Sequence, residues 1–186
     1  VKHFKQDRPP NVKAEDKIVE FKERSLRFRH YSKSSDNNSD LIYFHGGGFV
    51  LGDLESHDDI CAEICDITGC NVFSLDYSLA PEVKYPEFFL DAIRFYYFIK
   101  NVGRKLILMG DSAGGTLAGF VSNKVRNVAI RPEAQVLIYP DLAGPISVPN
   151  KRQFSDAPLL NQDDIRLYHK YAGLPLEKGL HDLIRN

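Results

Sequence analysis

The sequence lacks tryptophan, contains one methionine and three cysteines, and carries almost no net charge. Its 24 basic and 25 acidic side chains give a charge of −1, so neither nucleic acid nor an anionic membrane is an expected partner. No apolar stretch is long enough to span a membrane, and no signal peptide is visible. Because an odd number of cysteines leaves at least one unpaired, we expect a reducing, cytoplasmic location.

Hydrophobic residues make up 43% of the chain and charged residues 26%, which is typical of one globular domain with its own core. Strand-like and helix-like stretches alternate, which predicts an α/β fold with a mostly parallel sheet flanked by helices. We expect the first two strands to form an antiparallel edge. The predicted strands are 17–21, 26–31, 41–44, 71–75, 105–109 and 135–139, and the predicted helices are 56–68, 87–100, 113–127 and 161–171.

The most informative segment is 110–114, with the sequence Gly-Asp-Ser-Ala-Gly. An apolar run precedes it and a helix-like run follows it. A strand, a tight turn and a helix in this order form a nucleophile elbow, in which the turn lifts the hydroxyl of Ser112 clear of the sheet. The helix is then expected to begin at Ala113, where a free backbone N–H can meet an oxyanion.

A glycine-rich loop, residues 45–49 with the sequence His-Gly-Gly-Gly-Phe, follows the predicted strand 41–44. Consecutive glycines leave backbone N–H groups accessible, and a loop of this type supplies the other half of the oxyanion hole in lipases and esterases. The chemistry of such a loop belongs to its backbone. We therefore expect His45 to be structural.

Together with residues 76–82 (Asp-Tyr-Ser-Leu-Ala-Pro-Glu) and 139–141 (Tyr-Pro-Asp), these motifs resemble the hormone-sensitive-lipase branch of the α/β-hydrolase family. That family usually carries an arginine where Ser78 stands. The resemblance implies a serine carboxylesterase with a Ser-His-Asp triad that hydrolyses small acyl esters without a metal or other cofactor. It places Ser112 as the nucleophile. It places the N–H groups of Gly47, Gly48 and Ala113 in the oxyanion hole, with Gly46 shaping the loop.

The acid and base of the implied triad are not evident in the sequence. In this fold they follow the serine, after later strands, and no strand candidate follows 135–139. We therefore expect the C-terminal strands, the acid and the base beyond residue 186, with the chain cut at both ends. Residues 1–186 would form one partial domain with cap elements near 1–11 and 150–175, inactive alone. The bare strand 135–139 predicts a companion, either a C-terminal segment or a second copy.

Two alternatives to an esterase with its base beyond residue 186 remain open. The same fold could serve as a small-molecule binding protein that has lost its chemistry. Within the chain, His181 or His169 could replace the missing base, although both are expected to be exposed.

Asp111 is badly placed to orient a histidine and is expected to support the elbow. The preferred acyl group cannot be read from the sequence.

A zinc site is the remaining alternative for one helix. His57, Cys61 and Cys65 recur every four residues and would share a helix face, with ligand types that suit zinc. Cysteine also behaves as a small apolar residue, and the helix must bury one face. We therefore expect these cysteines in the core and no metal.

Overall fold

The computed structural model describes residues 6–35, 37–100, 103–142, 156, 158 and 160–174. In this part of the chain, strands and helices alternate as the sequence predicts. The strands are β1 (Lys13–Glu20), β2 (Ser25–Ser32), β3 (Ser39–Phe44), β4 (Asn71–Asp76), β5 (Lys105–Asp111) and β6 (Ala134–Ile138). The helices are α1 (Asp58–Thr68), α2 (Glu87–Ile99), α3 (Ala113–Lys124) and α4 (Gln162–Ala172).

The strands form one sheet in the order β1-β2-β4-β3-β5-β6. Strands β3 to β6 pair in parallel, whereas β1 and β2 form an antiparallel pair that joins the sheet through β4. The predicted α/β fold with an antiparallel edge is thereby confirmed. The carboxyl ends of β3 and β5 lie side by side, so the segments after them meet at one edge of the sheet.

Strand β3 is buried along its whole length because helices cover both faces of the sheet. Its side chains alternate between two cores, as the period of a strand requires. Ile42 and Phe44 belong to the larger core, which includes side chains of α2 and α3, and Leu41 and Tyr43 belong to a smaller core against α1. The glycine loop therefore follows a strand that is buried along its whole length.

The start of α1 differs from the prediction. Ser56, the first residue of the predicted helix, lies before α1; its hydroxyl accepts the N–H of Asp53, whose carboxylate accepts the N–H of Ser56. This closed turn occupies Ser56, and the helix begins after His57. The end of α1 agrees with the expectation, since Gly69 adopts the left-handed conformation (φ 72°) and donates to the carbonyl of Cys65.

No helix in the described ranges is long and apolar enough to cross a membrane.

Candidate active site

Ser112 lies in the tight turn between β5 and α3. Its backbone angles, φ 51° and ψ −120°, are strained for a residue with a side chain. Two backbone contacts hold this conformation: the N–H of Ser112 donates to the carbonyl of Ile138 at 2.8 Å, and its carbonyl accepts the N–H of Thr116 at 3.0 Å. The neighbouring strand β6 and the first turn of α3 therefore fix the serine from both sides.

The glycine at 114 allows the helix to approach the sheet. A Cβ atom at Gly114 would overlap the carbonyl oxygen of Phe44, the last residue of β3. Any larger residue would push α3 away from the sheet and move the serine with it. The sequence motif thus has a direct steric cause.

The glycine loop after β3 faces the same region. Gly48 has a φ of +63°, and a Cβ atom there would lie 2.6 Å from the ring of Tyr168 on α4. The carbonyl of Gly47 accepts the N–H groups of Val50 and Leu51, which closes the loop into a tight turn. The loop is therefore held between its own turn and α4.

Gly47, Gly48 and Ala113 line the cavity into which Ser112 opens. Within the residues that the structure describes, none of these three amides donates a hydrogen bond to another group. The N–H of Gly46 differs, because it donates to the carboxylate of Asp111 at 3.0 Å. The arrangement offers three amides to a ligand and uses the fourth to anchor the loop.

The segment after β4 supports the loop from behind. Tyr77 stacks on the ring of His45 and donates its hydroxyl proton to the carbonyl of His45 at 2.7 Å. The N–H of Ala80 donates to the carbonyl of Phe49, whose ring stacks on Phe88. These contacts join the segment 76–82 to the glycine loop, which explains why the two motifs occur in the same sequence.

His45 is buried behind the loop. Burial lowers its pKa, although a contact between its Nδ1 and the carbonyl of Gly46 at 2.8 Å acts in the other direction. The side chain is therefore held neutral at physiological pH and packs against Tyr77.

Ser78 stands where the resembled family usually carries an arginine. The buried carboxylate beside it, that of Asp91, has other partners. Asp91 of α2 is fully buried, and it accepts hydrogen bonds from the guanidinium groups of Arg24 at 2.6 Å and Arg94 at 3.1 Å. It also accepts the backbone N–H of Ser78 at 3.2 Å. Two arginines from elsewhere in the chain thus neutralise the carboxylate beside this motif.

The cavity at Ser112 has a volume of about 440 Å³. The glycine loop forms one wall, and α4 forms another through Ile165, Tyr168 and His169, which share one helix face. Helix α4 is held in place by the capping box of Asn161 and by the N–H of Tyr85, which donates to the carbonyl of Ala172. Most of the lining is apolar or aromatic, which suits a small organic ligand.

One polar pair interrupts this apolar lining. The Nε2 atom of His169 lies 3.3 Å from the Oδ2 atom of Asp141, and the histidine side chain is only 18% exposed. The expectation of an exposed His169 is therefore wrong, because α4 turns this side chain into the cavity. His181, the other histidine considered, lies outside the described residues. Asp141 and His169 follow Ser112 in the order that this fold uses for its acid and base, yet Ser112 and His169 form no hydrogen bond with each other.

The three residues of the zinc alternative point to different surroundings. Cys61 and Cys65 are buried in the smaller core, where burial raises the pKa of the Cys61 thiol, and His57 turns toward Asp111. Among the described residues, no three potential metal ligands come together. Helical spacing alone could not reveal that the Nε2 atom of His57 faces the residue before the serine.

The chain is similar to known proteins over about three quarters of its length. Residues 41–184 match the alpha/beta hydrolase fold family. The chain is 37% identical over 151 residues to Esterase LipI of Mycobacterium tuberculosis, which covers 76% of this chain and 46% of that protein. It is 31% identical over 149 residues to ethyl acetate hydrolase of Pseudomonas putida, covering 74% and 46%.

Among solved structures, a hyperthermophilic esterase of Pyrobaculum calidifontis superimposes with a TM-score of 0.82 at 29% identity, covering 91% of this chain and 59% of that one. The chain thus spans about half the length of the curated relatives it matches.

Proposed function

Because this chain belongs to the α/β-hydrolase fold family, we propose that it carries the nucleophile and oxyanion hole of a serine carboxylesterase that hydrolyses small acyl esters. One observation carries the proposal: Ser112 stands in a strained turn at a cavity lined by the glycine loop and by the start of α3. The names of the relatives, an esterase and an ethyl acetate hydrolase, support the same reaction.

The proposed reaction proceeds in two steps. The hydroxyl oxygen of Ser112 attacks the ester carbonyl while a base takes its proton, and the N–H groups of Gly47, Gly48 and Ala113 stabilise the resulting oxyanion. The alcohol then leaves with that proton, and an acyl-enzyme remains. Water releases the acid by the same route in reverse. Each oxyanion donor typically contributes about 10²–10³ in rate.

The acid and base of this reaction are proposed to lie outside residues 1–186. The support is the length of the relatives, since the chain spans about half of each. Among the described residues, the pair Asp141–His169 is a candidate, but the Nε2 atom of its histidine lies 3.3 Å from Asp141, and His169 forms no hydrogen bond with Ser112. We assign the pair to the wall of the cavity.

Three further proposals concern the surroundings of the site. We propose that residues 1–186 form one partial domain and that 150–175 belong to a cap, which the contact of α4 with the glycine loop supports. We propose a companion at strand β6, either a further segment of the polypeptide or a second copy. A reducing, cytoplasmic location is supported by three buried, unbridged cysteines.

The experiment is hydrolysis of p-nitrophenyl esters by the natural polypeptide that carries this sequence. We expect the acetate and butyrate to be cleaved faster than long-chain esters, because the cavity is small. Replacing the nucleophile, Ser112→Ala, should lower turnover by on the order of 10⁶. The matched control is Ser122→Ala, a half-buried serine further along α3, which should retain activity. Ester binding without turnover in the wild type would instead favour the small-molecule binding protein.

A further inference from the structure

The carboxylate of Asp111 joins the two motifs of the site. Its Oδ1 atom accepts the N–H of Gly46 at 3.0 Å and the hydroxyl proton of Tyr43 at 2.8 Å. The Nε2 atom of His57 lies 3.4 Å from the same oxygen. These partners belong to the glycine loop, to strand β3 and to the residue before α1. The side chain of Asp111, which precedes Ser112, therefore holds three separate segments together.

This carboxylate is kept as an anion although it is largely buried, with its side chain 13% exposed. Burial by itself would raise its pKa. The hydrogen bond and charge of His57 lower this pKa, and so do the hydrogen bonds from Tyr43 and from the Gly46 amide. Together they outweigh burial and hold the pKa of Asp111 below its ordinary value. An anion accepts stronger hydrogen bonds than a neutral group does, which makes the link to the loop firm.

The link also has a fixed length. A Cβ atom at Gly46 would overlap the Oδ2 atom of Asp111 and would lie 3.0 Å from its Cγ atom. The loop backbone therefore packs directly against the carboxylate. His57 is held in turn, because its Nδ1 atom lies 2.9 Å from the hydroxyl of Ser56, which belongs to the closed turn with Asp53.

We propose that Asp111, Tyr43 and His57 are positioning residues, which set the glycine loop at the distance from Ala113 at which the amides of both segments reach one oxyanion. This inference rests on the proposed esterase function. None of the three residues needs to touch the substrate. Their effect belongs to the transition state, because the bound substrate carries no oxyanion, so their loss should lower kcat and leave KM nearly unchanged.

Two tyrosines offer a matched test. Tyr43 and Tyr31 are both buried in the core beside α1, and each donates a hydrogen bond to a carboxylate, Tyr43 to Asp111 and Tyr31 to Asp58. Only the first carboxylate adjoins the serine. We expect Tyr43→Phe to lower kcat on p-nitrophenyl acetate by about 10- to 100-fold at unchanged KM. Tyr31→Phe should lower thermal stability to a similar degree and change kcat less than about twofold, since it leaves the loop in place.

A second series follows the carboxylate itself. Asp111→Asn retains an acceptor for Gly46 and Tyr43 and should recover part of the kcat that Asp111→Ala loses. Binding of a trifluoromethyl ketone, which presents an oxyanion after addition of the serine, should weaken in parallel with kcat. A product analogue should bind all variants alike.

The outcomes separate the two proposals. An active wild type whose Tyr43→Phe and Asp111→Asn variants fold and keep kcat within about twofold would overturn the positioning role and leave the esterase intact. Equal losses of kcat in Tyr43→Phe and Tyr31→Phe would also overturn it, because stability alone would then explain them. A folded wild type without turnover would overturn the proposed function, and the positioning role with it. If Asp111→Ala does not fold, the tyrosine pair decides.

Discussion

Gly48 occupies a position where a side chain has neither the backbone angles nor the space it needs. Its φ is +63°, and the ring of Tyr168 fills the volume that a Cβ atom would take. The residue therefore determines how closely α4 and the glycine loop approach each other. Gly103 has a comparable φ of +90°, but among the described residues no atom outside its chain neighbours lies within 4 Å of the position that a Cβ atom would take there.

These two glycines separate backbone strain from loss of space. Gly103→Ala should cost only the strain of a left-handed alanine, about 1–2 kcal/mol in the free energy of unfolding, with activity retained. Gly48→Ala should cost the same strain and displace the loop or α4, so that ester turnover falls by at least about 10²-fold. Urea unfolding and ester hydrolysis measure the two effects. Retained turnover in Gly48→Ala would contradict the role given to the loop.

At the level of single residues, some features of the site could be predicted from the sequence and others could not. The motif around Ser112 and the glycine loop could be recognised because tight turns and close approaches demand particular residues at particular positions. The contact of His57 with Asp111 could not, since the two residues are distant in sequence and meet only through the pairing of β3 with β5. The inward turn of His169 was missed for a related reason: helical spacing defines faces, but not which face meets the cavity.

At the scale of elements, an ion cluster joins α1 to the antiparallel edge of the sheet. Asp58, at the first turn of α1, accepts hydrogen bonds from Arg29 at 2.8 Å, Tyr31 at 2.9 Å and Arg8 at 2.7 Å. Arg29 also pairs with Asp16 on β1 and with Glu55. Burial would raise the pKa of Asp58, but its three donors lower it to about 2, from an ordinary value of 3.8.

This cluster predicts how stability depends on pH. Because the folded pKa of Asp58 lies below its unfolded value, its contribution is complete above about pH 4 and is lost as the pH falls toward 2. The difference between the two pKa values corresponds to on the order of 2 kcal/mol.

Asp58→Asn should therefore be less stable at neutral pH and lose less stability between pH 4 and 2 than the wild type, as measured by urea unfolding. The exposed Glu63→Gln on the same helix should follow the wild-type curve. Identical slopes for Asp58→Asn and the wild type would exclude this origin of the acid sensitivity.

The element boundaries were predicted well wherever apolar periodicity was strong. Helix α2 and strand β4 agree with their predicted ranges to within a residue. The predicted start of α1 was too early because two short-range signals competed. The spacing of Ser56 and Asp59 matches a capping box, but a turn with Asp53 uses the same hydroxyl. Sequence spacing alone cannot rank two local hydrogen bonds of similar strength.

At the scale of the whole molecule, the two outer strands of the sheet differ in character. Strand β1 carries charged side chains along its length, which is a common protection of an edge. Strand β6 has none, and Val136 is 43% exposed there. An uncharged, apolar edge of this kind favours pairing with another strand, which is the basis of the companion proposed above.

The companion can be tested on the 186-residue chain itself. We expect this chain to self-associate as its concentration rises in sedimentation velocity, because β6 pairs between copies. Val136→Lys should shift the chain toward monomer, since a charge on the edge opposes pairing. The matched control is Ile18→Lys on β1, where the apolar side chain is 65% exposed but the strand is already charged. A wild-type chain that stays monomeric at all concentrations would refute the companion.

A fluorophosphonate probe reacts with an activated serine, so it can show whether Ser112 is the nucleophile of this site. The measurement is intact-mass spectrometry of the natural polypeptide after reaction with the probe, followed by peptide mapping. We expect one added phosphonyl group per chain, located on Ser112, absent in Ser112→Ala and retained in His169→Gln because the proposed base lies outside residues 1–186. A folded protein that takes no label, or takes it on another residue, would show that Ser112 is not an activated nucleophile, and loss of labelling in His169→Gln would place the base on α4.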